Sequence, residues 1–413
     1  MKRGQALAPL RERNFAWYFT SRLSNTLGSM MAGIALTFAV LDLTDSASAL
    51  GQVLAARTIP LVIFLLFGGV IADRFPRTLV LQVSNLLSAL TQGVVAWLVI
   101  SGSAELWMII VLEIINGTVS AISFPAMSSM VPQLVRREDL QPANALLSLS
   151  RVGLTVLGPA LGALIVVTVG SGWALAFDAL TWLLAAVFLM PVRIPPRPSV
   201  EEQPSTWREL REGWSLFIGT TWLWVVVLGF GVLNAIHTGA WSTLGPALAK
   251  DTIGKQGWGL VLSADSLGLI AMTLLLLRVN LKRPLLAGML GCSLMGVPMV
   301  ILGVAPHLGL LLVLTFLAGA GIELFSMGWN LAMQENIDER MLSRAYSYDA
   351  LGSFVAMPVG QLIYGPLGDA FGYRDVLLVS GVLYTLIALS VLGSRSVRDL
   401  RRAPAVREAS VSS

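Results

Sequence analysis

Apolar positions along the chain gather into twelve long segments separated by short polar ones. They run over 15–41, 47–72, 78–101, 106–133, 142–168 and 173–191, then over 220–248, 257–277, 284–304, 308–332, 346–367 and 374–393. Leu79 to Ser103, Thr155 to Phe177 and Leu285 to Pro306 carry no charged residue, and each reaches the length of about 20 residues that a membrane crossing needs. Apolar and polar residues do not alternate in these runs, which argues against a membrane barrel. A helix satisfies its own backbone groups in hydrocarbon, so the pattern predicts an all-α protein of twelve transmembrane helices.

The pattern also repeats. Arg151-Val-Gly-Leu-Thr-Val-Leu-Gly-Pro159-Ala-Leu-Gly162 in the fifth segment matches Ala350-Leu-Gly-Ser-Phe-Val-Ala-Met-Pro358-Val-Gly-Gln361 in the eleventh. Two six-helix halves are therefore expected at 15–191 and 219–394, with short ends at 1–14 and 395–413. The connecting segment 192–218 opens with Pro195, Pro196 and Pro198, an extended stretch. It closes with Trp207, Leu210, Trp214 and Phe217 at helical spacing, the pattern of a helix lying on the membrane face or of a solvated loop.

Composition agrees. Of 413 residues 55% are apolar and 13% charged, about half the charge of a soluble domain. About 22 of the 28 Lys and Arg fall at the two ends, in the connecting segment and in the loops after segments 2, 4, 8 and 10. The opposite loops hold Lys250, Lys255 and Arg374. Positive charge marks the cytoplasmic side, so both termini are expected inside a bacterial cytoplasmic (inner) membrane crossed many times. The net charge of +4 is spread over loops, and no nucleic-acid partner is expected. The single cysteine, Cys292, and two histidines, His237 and His307, leave no disulfide, and no metal or cofactor site is expected. The first segment is too long and too charged, at Arg22, for a cleaved leader, and reads as a retained helix.

The loop after the second segment reads Gly69-Val-Ile-Ala-Asp73-Arg74-Phe-Pro-Arg77. In spacing and position it resembles the signature loop of the major facilitator superfamily, and the resemblance covers nearly the whole chain. It implies that Gly69, Asp73, Arg74 and Arg77 form a latch steadying one of two alternating conformations, with Asp73 facing the positive N-terminus of the eleventh helix. The alternative is that these charges serve topology alone. Gly158-Pro159-Ala-Leu-Gly162-Ala163 is similar to the antiporter pattern of this superfamily, with Ala163 in place of its final glycine. Small residues four apart allow close helix packing, and Pro159 permits a bend. Pro132-Gln-Leu-Val, Ala143-Asn144-Ala145, Phe177-Asp178-Ala179 and Leu342-Ser-Arg344-Ala-Tyr-Ser-Tyr348-Asp349 resemble the branch containing macrolide efflux pumps and the enterobactin exporter. One departure stands out. Drug–proton antiporters of the family often carry arginine four residues before a glycine in the fourth helix, where this chain has Glu113 before Gly117.

Charges inside spans cost roughly 2.5–3.5 kcal/mol each and need a reason. Arg22, Arg57, Glu113, Arg151, Asp178, Asp265, Glu323 and Asp349 all lie in spans. Glu113 and Glu323, with Asp265 behind them, are the proton-coupling candidates; Asp265 has no evident partner. Arg57, Arg151 and Arg22 are the charge-pair candidates, and a permanent pair of Glu113 with Arg57 or Arg151 is the competing reading. Asp178 and Asp349 lie nearer helix starts and read as structural.

The resemblance implies a cavity lined by helices 1, 4, 7 and 10. Its polar and aromatic candidates are Asn25, Asn116, Asn234, His237, Trp241, Trp329 and Asn330. Trp107, Trp173 and Trp222 sit at span ends and read as interfacial anchors. His237 lacks a second ligand at helical spacing and reads as a core residue rather than a metal ligand. The function implied is a monomeric secondary transporter, most simply one exporting a small amphipathic compound against protons, with import of a nutrient as the alternative. No Gly-rich ATP-binding loop, catalytic cluster or sizeable receptor domain is present in the sequence, so neither an enzyme nor a receptor is expected.

Overall fold

The structure, a computed structural model, describes residues 7–74, 76–128, 130–136, 139–193, 206–276, 278–279 and 281–401. Side chains at 65–74, 124–125, 128, 141, 206–210, 212–213, 339–340, 343–344 and 347 lie outside that description. Twelve long apolar helices fall where the pattern places them. In the first half they are α1 (Arg13–Thr44), α2 (Ala47–Arg74), α3 (Arg77–Ser101), α4 (Leu106–Ser128), α5 (Leu140–Val169) and α6 (Ser171–Leu189). In the second they are α7 (Thr221–Asp251), α8 (Gly254–Leu276), α9 (Pro284–Val304), α10 (Leu308–Asn336), α11 (Tyr348–Phe371) and α12 (Tyr373–Val391).

The bundle turns large apolar side chains outward and keeps its buried polar ones among an apolar core. On α3 the outward positions Leu79, Leu86, Leu90 and Trp97 are exposed, while Ser84, Asn85, Ser88, Thr91 and Gln92 are buried. Water as the surrounding solvent would reverse that arrangement; lipid explains it.

The two halves use the same packing plan. In the first, α2 packs on α4, and α6 packs on α1 and α3; in the second, α8 packs on α10, and α12 packs on α7 and α9. The correspondence extends to single residues. Gly117 of α4 lies against the backbone carbonyl of Arg57 on α2, and Gly319 of α10 lies against that of Asp265 on α8. Asp265 thus takes the place in the second half that Arg57 takes in the first, with opposite charge. Gly170 and Gly372, with φ of 99° and 86°, make the matching turns into α6 and α12, a backbone region that favours glycine.

The repeated prolines differ in effect. Pro159 lies inside a continuous α5. Pro358 instead opens a new helical piece, Met357–Phe371, after a preceding piece ends at Phe354, because proline suits a first helical turn. In α7 the helix loosens to π geometry over His237–Leu244, and Thr243 Oγ1 donates to Thr238 O at 2.9 Å across that turn. Before α7, the helix Thr206–Gly219 seats its last turn against the start of α11. Trp214 and Phe217 lie 5.7 and 5.8 Å from Tyr348, ring to ring. Trp207 and Leu210 lie outside the described side chains, as do Gly69, Asp73 and Arg74; residues 194–205 and 402–413 are not described.

The halves meet along two seams, α2 with α11 and α5 with α8, and both are tight at the face far from the chain ends. Gly365 lies against the backbone of Ser48, and a β-carbon on Gly259 would stand 2.9 Å from the carbonyl of Pro159. Gly158 and Gly162 bring α5 onto Met30 and Met31 of α1. Ion pairs close the same face: Lys250 Nζ lies 2.7 Å from Asp45 and 3.3 Å from Asp42, and Lys255 Nζ lies 2.5 Å from Asp42.

Lys250 donates to Asp45 and holds its carboxyl below the ordinary carboxylate range. The Asp45 contribution is therefore complete above the ordinary carboxylate pKa and fades as pH falls through the lowered value. Thiol labelling of cysteines placed under this face should accelerate in acid, and Asp45→Asn should remove the part of that pH dependence that Asp45 supplies.

Candidate functional site

Bringing α2 and α4 together at Gly117 has a consequence one turn away. Glu113, Asn116 and Gly117 share a face of α4 at spacings of three and four, so the contact that seats Gly117 on Arg57 also sets Glu113 beside the Arg57 side chain. Glu113 is fully buried, with Oε2 3.8 Å from Arg57 Nη1. Gln92 Nε2 of α3 donates to Glu113 Oε1 at 3.3 Å, and Thr91 Oγ1 donates to Asn116 Oδ1 at 3.1 Å. Among the described residues Glu113 Oε2 and Asn116 Nδ2 make no hydrogen bond of good geometry, although Asn116 lies close enough to act on Glu113.

Asp178 joins this group. It is the eighth residue of α6 rather than a helix-start residue, and it is 1% exposed. Gly28 of α1 leaves the room it needs, since a β-carbon there would meet both Asp178 and Thr181. Arg57 and Glu113 both act on it electrostatically, and among the described residues its Oδ1 has no hydrogen-bond partner. The Phe177-Asp178-Ala179 motif was the sequence signal, but only the packing of α6 on α1 reveals the connection.

Above this network lies a cavity of about 310 Å³ in the first half. Tyr18, Arg22, Asn25, Thr26 and Met30 line it from α1, Arg57 from α2, Met127 from α4, Arg151 from α5 and Trp182 from α6. An adjoining cavity of about 320 Å³ shares Tyr18, Arg22, Met127 and Arg151 and runs along Asn144 to Leu154 of α5. Both lie toward the face that carries the chain ends, opposite the sealed one. All three charge-pair candidates therefore converge, but only Arg57 has a carboxylate within ion-pair distance among the described residues.

The other candidates are dispersed. Of the seven polar and aromatic residues expected in the cavity, Asn25 lines it, and Asn116 is buried next to Glu113. Asn234 Nδ2 donates to Ser353 O at 3.0 Å, and Asn330 Oδ1 accepts from Tyr346 at 3.0 Å. His237 opens the π turn of α7. Trp241 is buried against Trp258 near the sealed face. Trp329 donates to Asp349 Oδ2 at 2.9 Å and packs edge-on against Trp222. Trp222 is accordingly buried rather than an interfacial anchor, while Trp107 and Trp173 are exposed. Ser353 Oγ donates to Asp349 Oδ1 at 3.2 Å, so Asp349 is held by side chains of two helices and not by a helix start. Glu323 of α10 accepts from Thr273 at 2.9 Å, and Asp265 is half-buried in the same α8–α10 seam. Among the described residues no cluster of three metal-ligating side chains is present.

Comparison with known proteins follows this geometry. The family model of the Major Facilitator Superfamily matches residues 18–359. Macrolide efflux protein A of Streptococcus pyogenes is 24% identical over 380 residues, covering 90% of this chain and 93% of the relative. The multidrug efflux pump Tap of Mycolicibacterium fortuitum is 25% identical over 392 residues, covering 90% and 93%. Among solved structures, a bacterial homologue of the human lysosomal transporter Spinster, in an inward-facing and occupied conformation, superposes with a TM-score of 0.73 at 13% identity, covering 96% of this chain and 99% of that one. The chain belongs to the Major Facilitator Superfamily, and it is a multi-pass membrane transporter, not an enzyme.

Proposed function

We propose that this transporter exports a small amphipathic compound from a bacterial cytoplasm by proton antiport, acting as a monomer with both termini cytoplasmic. The positive-inside distribution supports that orientation, and the relatives named for macrolide and multidrug efflux support the direction. In this orientation the sealed face is external and the cavity opens to the cytoplasm, so substrate enters from inside. Rocking of the halves about the central site then closes the chain-end face and opens the seams α2–α11 and α5–α8.

The observation that carries the coupling is Glu113, a fully buried carboxylate with one oxygen that makes no hydrogen bond of good geometry among the described residues, 3.8 Å from an arginine that also lines the cavity. A proton on Glu113 releases Arg57; loss of that proton returns Arg57 to Glu113. Protonation and the charge presented to the cavity are then coupled through one guanidinium, which proton-driven transport requires. Glu323 and Asp265, in the corresponding seam of the second half, are the secondary candidates.

The test is drug accumulation in inverted vesicles with and without an uncoupler. Glu113→Gln is expected to abolish gradient-driven accumulation at normal protein abundance, while energy-independent exchange of substrate persists. Full uncoupler-sensitive transport by Glu113→Gln and Glu323→Gln alike would remove these proton sites. The Asp73 latch stays part of the proposal, as the element that steadies one of the conformations.

A further inference from the structure

Three arginines line the cavity, and among the described residues no aspartate or glutamate lines it or its neighbour. Arg57 is already paired with Glu113 beneath the floor. The other two are not neutralised. Arg22 donates to Asn25 Oδ1 at 3.4 Å and to Met127 Sδ at 2.7 Å, a neutral amide and a weakly accepting sulfur. Arg151 has no ion pair within 4 Å among the described residues. Arg22 feels the charge of Arg151, so two like charges face one cleft, open on one side.

Such a space focuses a positive potential and favours a negative ligand. Glu323 of the other half interacts electrostatically with Arg151, but its Oε1 already accepts a bond from Thr273. Elsewhere the wall is apolar or aromatic at Met30, Leu61, Trp182 and Leu189, with neutral polar groups between them at Ser29, Asn85, Ser120 and Ser123. We infer that the cavity binds an amphipathic organic anion, with its acidic group between Arg22 and Arg151 and its apolar body against Met30, Leu61 and Trp182. The guanidinium forks match the two oxygens of a carboxylate, and the same geometry accepts a phosphate or sulfonate. The inference rests on reading this cavity as the substrate passage, and it names the substrate's charge, which the efflux reading leaves open.

The test needs no ion gradient, so its outcome is separate from that of the coupling assay. The full chain, purified in a neutral detergent, is titrated calorimetrically with 1-naphthaleneacetate and with its neutral counterpart 1-naphthaleneacetamide. The anion is expected to bind about tenfold or more tighter, the scale of a charge-assisted hydrogen bond. Arg151→Gln should erase the preference, and Arg151→Lys should keep part of it; Arg151 makes no side-chain bond that the fold depends on, which guards against misfolding. Repeating the titration in phosphatidylcholine discs with and without phosphatidylglycerol separates two sources of the same chemistry. Competition by phosphatidylglycerol would assign the site to a lipid headgroup, and its absence to a soluble anion. Equal affinity for acetate and acetamide, or a full preference retained in both Arg151→Gln and Arg22→Gln, would overturn the inference.

Discussion

Arg57→Leu is expected to lower the stability of the purified transporter by about 3 kcal/mol, and Arg57→Leu with Glu113→Leu to recover most of it. Glu113 is fully enclosed, and Arg57 is its one ion-pair partner among the described residues. Removing one member of a buried pair leaves the other charge uncompensated, which costs about 3–5 kcal/mol. The lower end applies here, because the Arg57 side chain is 39% exposed and Glu113 can take up a proton. Replacing both members with apolar groups of similar volume removes the uncompensated charge of the pair, and Asp178 loses the attraction of Arg57 and the repulsion of Glu113 together. Thermal unfolding followed by loss of the monodisperse peak on size exclusion measures both variants. The double variant also separates the two readings of Glu113. Were the pair only a structural tie, a stable double variant would still show uncoupler-sensitive transport; under the coupling proposal, it folds and does not.

Gly259→Leu is the second large effect. Gly259 of α8 faces Ala163 and the Pro159 carbonyl of α5, and a β-carbon there has no room. A leucine side chain must part α5 from α8 at the sealed face. The same step in alternating access parts them anyway, so the variant should fold but favour the state open on that side. Gln361 reports the change: it is buried against Gly51 in the other seam. With Cys292 replaced by serine and Gln361 by cysteine, an impermeant maleimide should react about tenfold faster in the Gly259→Leu background, corresponding to a population shift of about 1.4 kcal/mol. An unchanged labelling rate would mean that the α5–α8 seam does not limit opening. Transport should fall in the same variant, since a transporter held on one side cannot cycle.

The two predictions draw on features of different legibility. Gly259 stands in Gly257-Trp-Gly259, where nothing local tells which glycine meets another helix. Gly158 and Gly162 were legible as packing positions from their spacing; that they serve α1, while Ala163 and the Pro159 carbonyl serve α8, is decided by which helices surround α5. Glu113 was legible because an isolated carboxylate in an apolar run is costly. Its choice of Arg57 over Arg151 was not, because both arginines lie at comparable depth in sequence. Gly117, by letting α2 approach, makes that choice.

Asp178 shows the converse. Its place early in an apolar segment suggested a helix-start role, yet α6 begins at Ser171, and the side chain turns into the bundle beside Glu113. Trp222 and Trp329 were read apart, one as an anchor and one as a cavity residue, and they pack against each other 5.6 Å apart. Aromatic rings at span ends look alike in sequence whether lipid or another helix covers them.

The sequence by itself determined the twelve spans, their all-helical character and the repeat of two halves. These follow from run length, from the need to satisfy backbone groups in hydrocarbon and from residues recurring about 200 positions apart. It also determined which charges lie inside spans, but not how far each is buried: Glu113 and Asp178 are buried, while Arg151 is exposed. Which of those charges meet, which face is sealed and which arginines remain free to hold a ligand depend on contacts between helices distant in sequence. Small residues such as Gly28, Gly117 and Gly259 set those contacts through space alone, and only the tertiary structure shows what fills the room they leave.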